Sequence, residues 1–75
     1  ASSLANNFQQ DTLSKRELEV LRYVADGNSN RRVADRLGLS EDTIKAHMKT
    51  LLHKLDARDR THAVTIAMHR GYWDN

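Results

Sequence analysis

The chain has no cysteine, no proline and only three glycines among its 75 residues. Without cysteine, disulfides and thiolate metal sites are excluded. With no proline and little glycine, few positions break a helix, so a helical domain is expected. Aromatics are limited to one Phe, two Tyr and one Trp. No apolar run approaches the ~20 residues that span a bilayer, and no signal-peptide pattern is present. These absences point to one small soluble module with a modest core, cytoplasmic in location, or to a piece of a larger protein.

Charge is what the chain does have. Twelve Lys and Arg against ten Asp and Glu leave a net charge of only +2. Its distribution is uneven. Residues 1–28 sum to −1, from Lys15, Arg16 and Arg22 against Asp11, Glu17, Glu19 and Asp26. Residues 29–54 sum to +3, from Arg31, Arg32, Arg36, Lys45, Lys49 and Lys54 against Asp35, Glu41 and Asp42. Residues 55–75 sum to zero. The middle third therefore carries the excess, as a surface that meets phosphate would.

Residues 1–12 are polar and lack periodicity, which reads as a flexible linker or remnant. Phe8 folding back on the core is the alternative. The rest, residues 13–75, divides into four helices. Ser14 and Glu17 form a capping box, with Leu13 and Leu18 as the hydrophobic staple across it. Val20, Leu21, Val24 and Ala25 then form an inward stripe, and Gly27 ends the first helix. The second runs from about Asn30 to Leu37, capped by Ser29 or Asn28, with Val33, Ala34 and Leu37 inward. The third starts after Ser40 and continues to about Leu55. Its Ile44, Met48, Leu51 and Leu55 share one face, and Asp42, Lys45, Ala46, Lys49 and His53 share the other. The fourth runs from about Arg60 to Arg70, capped by Asp59 and ended by Gly71. Ala63, Ile66 and Ala67 are placed to close the core. Val64 and Met68, with Thr61 and Thr65 beside them, widen the apolar arc enough to imply a partner helix. The Tyr72-Trp73 tail covering Val64 and Met68 is the alternative.

Ala34, Gly38 and Ile44 stand where two steeply crossing helices need a small contact residue, a turn residue tolerant of positive φ and a branched plug. That is the pattern of a helix-turn-helix, which holds its second helix out where a DNA major groove can receive it.

Four segments in order resemble the DNA-binding domain of the LuxR/FixJ (GerE-like) family of bacterial transcription regulators. They are Leu13 to Leu21, Ser29 to Ala34, Ser40 to His47 followed by Lys54-Leu55, and Arg60 to Val64. The resemblance covers about residues 13–72. It implies an all-α, four-helix domain containing a helix-turn-helix, with pairing through the last helix. It also implies a regulatory domain N-terminal to this one, a phospho-accepting receiver if the chain is of the two-component response-regulator kind.

By position, Lys45, Ala46 and Lys49 match the family residues that meet base edges. Lysine donates to guanine O6 and N7, and an alanine methyl meets a thymine methyl. Asp42 departs from many relatives, which carry a neutral or basic residue there. Its carboxylate either repels phosphate or accepts from a cytosine N4 amine. Asn30, Arg31, Thr43 and Thr50 are phosphate-contact candidates, the first two at a helix N-terminus. Arg32 either joins them or turns to solvent. His47 reads as a half-buried histidine or a backbone contact. Thr61, Val64, Thr65 and Met68 are the dimerisation candidates.

The implied partners are double-stranded DNA with inverted half-sites, a second copy of the chain and RNA polymerase. No membrane, cofactor or metal is implied. A catalytic constellation is not legible either. His62 and His69 share a face but lie two turns, ~10 Å, apart, too far for one ion. The rival reading is a sigma-factor-like or adaptor module that works through protein contacts with RNA polymerase.

Overall fold

A computed structural model of the chain describes residues 13–73. The expected linker at 1–12 lies outside them. Four helices and no strand are found among the described residues: α1 (Lys15–Ala25), α2 (Asn30–Leu37), α3 (Glu41–Leu55) and α4 (Arg60–Arg70).

Each helix starts on a side chain that satisfies an otherwise orphaned amide. At α1, Ser14 Oγ accepts from the Glu17 N–H at 3.1 Å and Glu17 Oε1 accepts from the Ser14 N–H at 2.8 Å. At α2 the cap is Ser29, whose Oγ accepts from the Arg32 N–H. Asn28 instead turns back, and its Nδ2 donates to the Tyr23 carbonyl at 2.9 Å, closing the end of α1. Ser40 caps α3 through the Thr43 N–H, and Asp59 caps α4 through the His62 N–H. A cap of this kind contributes about 1 kcal/mol.

The helix ends share one device. The N–H groups of Asn28, Leu39, Ala57 and Tyr72 donate to the carbonyls of Tyr23, Ala34, Leu52 and Ala67, five residues back. Such a bond needs a left-handed residue just before the donor. Gly38 supplies it after α2 at φ 68°, as the turn chemistry requires. After α3 the same position is held by Asp56 at φ 54°.

α2 and α3 pack most extensively on each other, α1 touches all three other helices, and α4 packs on α1 and α3. The core is Leu13, Val20, Leu21, Val24, Val33, Ala34, Ile44, Met48, Leu51, Leu55, Ala63 and Ala67. The whole inner stripe expected for α3 is therefore buried, as are Ala34 and Ile44 of the helix-turn-helix. Leu18, Leu37 and Ile66 are only half-buried. For Ile66 the reason is the close approach of α4 along Ala63 and Ala67, which leaves the intervening isoleucine at the edge. Ala25 departs from the expected stripe and is exposed. It is the last residue of α1 and lines an open groove with Val24, Arg60, Thr61 and Val64, where nothing lies above it.

Candidate nucleic-acid interface

The site is built on α3. Ser40 fixes its first turn twice over. Its Oγ accepts from the Thr43 N–H and lies 2.8 Å from Thr43 Oγ1. Ile44, Met48, Leu51 and Leu55 anchor one side of the helix in the core. With that side fixed, rotation about the helix axis is fixed too. Asp42, Lys45, Ala46, Lys49 and His53 are all exposed on the other side. Lys45 and Lys49 are four residues apart, so their stems rise from the same strip about 6 Å apart along the axis. Among the described residues neither takes part in an ion pair.

The remaining candidates lie in the first turn of α2 and at other positions of α3. Arg31 and Arg32 are exposed in the first turn of α2. Asn30 is half-buried, and its Oδ1 accepts from Arg60 Nη1 at 3.0 Å. Thr50 is exposed, whereas Thr43 and His47 are half-buried. Asp42, Lys45, Ala46 and Lys49 thus share the exposed strip of α3, Thr43, His47 and Thr50 lie elsewhere on the same helix, and Asn30 and Arg31 lie in the first turn of α2.

Lys54 stands apart from the others. Counted by sequence it adds to the positive excess of residues 29–54. In the fold its Nζ lies 2.8 Å from Glu17 Oε1, with the lysine side chain 28% exposed and the glutamate side chain 8%. Burial works to raise the Glu17 carboxyl. The hydrogen bond and charge of Lys54, with the Ser14 amide and hydroxyl, outweigh it and hold the carboxyl below the ordinary glutamate value. Lys54 therefore ties α3 to α1. Its signal was in the helical projection, which sets it about 60° from Leu51, on the shoulder of the inner face.

Arg60 is the other residue whose role the sequence pattern missed. Its Nη1 donates to Asn30 Oδ1 and its Nη2 to the Asn28 carbonyl at 2.9 Å. The start of α4 is thereby clamped to the start of α2. A cation in the first turn of a helix opposes the macrodipole, and that misfit was the available clue.

The dimerisation candidates lie on α4, away from the α3 strip. Thr61 and Thr65 are exposed and joined by a Thr65 Oγ1 bond to the Thr61 carbonyl at 3.1 Å. Val64 is half-buried and Met68 is 68% exposed. The tail does not cover Met68. Trp73 turns instead toward α1, where the Arg22 guanidinium lies 5.8 Å from its ring centre.

The fold and the exposed strip define a helix-turn-helix domain. The family model of bacterial regulatory proteins of the luxR family matches residues 11–67, and the chain belongs to that family. Similar proteins include the transcriptional regulatory protein LiaR of Bacillus subtilis (strain 168), 39% identical over 70 residues. That match covers 93% of this chain and 33% of LiaR. The nitrate/nitrite response regulator protein NarP of Escherichia coli (strain K12) is 44% identical over 54 residues, covering 72% of this chain and 25% of NarP. An uncharacterized transcriptional regulatory protein of Bacillus subtilis, YxjL, is 44% identical over 71 residues, 95% of this chain and 30% of its own. The chain thus spans a third or less of the length of these relatives.

Proposed function

We propose that this chain is the DNA-binding effector domain of a bacterial transcription regulator of the two-component response-regulator type. The observation that carries the reading is the α3 strip, where Lys45 and Lys49 stand exposed and unpaired among the described residues, opposite a fully buried face. α3 enters the major groove of double-stranded DNA. Lys45 and Lys49 donate to guanine edges, and the Ala46 methyl meets a thymine methyl. Asp42 accepts from a cytosine amine. Arg31, Asn30, Thr43, His47 and Thr50 hold the phosphates that fix register.

A second copy pairs through Thr61, Val64, Thr65 and Met68, so the two domains read inverted half-sites. A receiver domain N-terminal to the helix-turn-helix supplies the signal in the cytoplasm, and RNA polymerase is the further partner. The names carried by LiaR and NarP, a transcriptional regulatory protein and a response regulator, support this assignment.

The test starts with selection of bound duplexes from a random pool, followed by titration of the selected duplex. Arg31 and Arg32 from each of two domains neutralise about four phosphates, so affinity falls on the order of 10²-fold between about 50 and about 200 mM salt. No enrichment, or binding that ignores salt, contradicts the proposal and favours an adaptor that acts through protein contacts.

A further inference from the structure

Ala25 follows Val24 on the apolar stripe of α1, yet it is exposed while Val24 is buried. With Arg60, Thr61 and Val64 of α4 the two line an open groove of about 280 Å³. The groove is largely apolar, because the Arg60 guanidinium is engaged by Asn30 and the Asn28 carbonyl. Seven residues beyond Thr61, on the same face of α4, stands Met68. It is the one large apolar side chain exposed among the described residues. Two turns separate Thr61 from Met68, about 10 Å along the axis.

A groove and a projecting side chain on one face suit an isologous interface, in which each copy gives what it receives. When α4 pairs antiparallel with α4 of a second copy, a two-fold axis between Val64 and Thr65 sets Met68 of each opposite Thr61 of the other. The charges agree with this register. His69 and Arg70 make the last turn of α4 basic, and the exposed Asp26 directly follows Ala25 at the groove. None of the three takes part in an ion pair among the described residues. The two-fold brings Asp26 of each copy toward the basic end of α4 in the other. Methionine also suits the groove, because its unbranched thioether fills irregular gaps.

We propose that Met68 of each copy seats in the groove between α1 and α4 of the other, so that the C-terminal end of α1 is part of the pairing surface. The proposal rests on the pairing of α4 faces given above and extends it from one helix to two. Ala25 then gains in the dimer the cover that its place in the stripe implies. The α1 wall fixes the register of the two copies along α4, and with it the separation of the two α3 helices that half-site spacing must match.

The chain has no cysteine, so single cysteines report on the pairing without competition. Ala25→Cys and Met68→Cys chains are mixed on the selected duplex and treated with a short bismaleimide. A link between the two different chains is expected. Thr65→Cys, beside the two-fold, is expected to link to itself. Self-linking of Thr65→Cys with no link between Ala25→Cys and Met68→Cys overturns the seating of Met68 and leaves the α4 pairing standing. No link of either kind, with one domain per site, overturns the pairing and the proposal together. Ala25→Gln, which fills the groove without changing charge, should weaken pairing on the order of tenfold. Its helical circular dichroism and its affinity for a single half-site should match wild type. An Ala25→Gln chain that pairs as tightly as wild type overturns the proposal.

Discussion

Glu17 closes the capping box of α1 and accepts the Lys54 ammonium of α3 with the same oxygen, while only 6% exposed. Glu17→Gln keeps a side chain able to complete the box and removes the charge that holds Lys54. We expect it to cost about 1–3 kcal/mol, read as a lower urea midpoint at neutral pH. Because the folded carboxyl is held below its ordinary value, its contribution is fully present above the unfolded value. It is lost as pH falls through the lower folded one. The wild-type and Glu17→Gln midpoints should therefore converge on acidification, and a gap that persists in acid contradicts the assignment. Asp56 gives the opposite case. It holds a left-handed conformation at φ 54° and places a negative charge at the C-terminus of α3, both unfavourable. Asp56→Gly is expected to raise stability by about 1 kcal/mol, visible as a higher thermal midpoint.

Among the elements, α2 and α3 act as a pair held from outside. Ala34 and Ile44 seat α2 on α3, and Arg60 fixes the first turn of α2 from α4. Arg60→Ala should cost about 1–2 kcal/mol. It should also speed hydrogen exchange in the first turn of α2 more than in α3. Equal effects on both helices contradict a local clamp. The helices themselves were legible because their signals are local: Ser14, Ser29, Ser40 and Asp59 at the starts, Gly38 at a turn, and apolar residues at helical spacing. What was not legible joins residues distant in sequence. Lys54 and Glu17 are 37 positions apart, and Arg60 and Asn30 are 30 apart. No periodicity encodes such pairs, so Lys54 counted as free charge and Arg60 as a helix start. Ala25 continues the inward stripe in sequence but lies one step past the point where α4 covers α1.

On the scale of the whole molecule, the proposed reading gives the α3 strip to DNA and the α4 face to a second copy. The exposure of the strip was legible from the α3 projection, and that of Thr61, Thr65 and Met68 from the wide arc of α4. Pairing and DNA contact depend on molecules outside the chain. Met68 is exposed, so Met68→Asp should leave the fold intact while lowering cooperativity on two half-sites. Sedimentation on DNA should show two domains per site for wild type. One domain per site in wild type contradicts the dimer. If the exposed strip of α3 reads base pairs, Lys49 at its middle is the residue whose loss must show it. The measurement is the affinity of wild type and Lys49→Ala for the selected duplex and for single-base variants of it. Lys49→Ala should lose about 1–3 kcal/mol of binding and the preference at one base pair, with the fold unchanged. A variant that binds as tightly as wild type, with the same preference at every position, contradicts it.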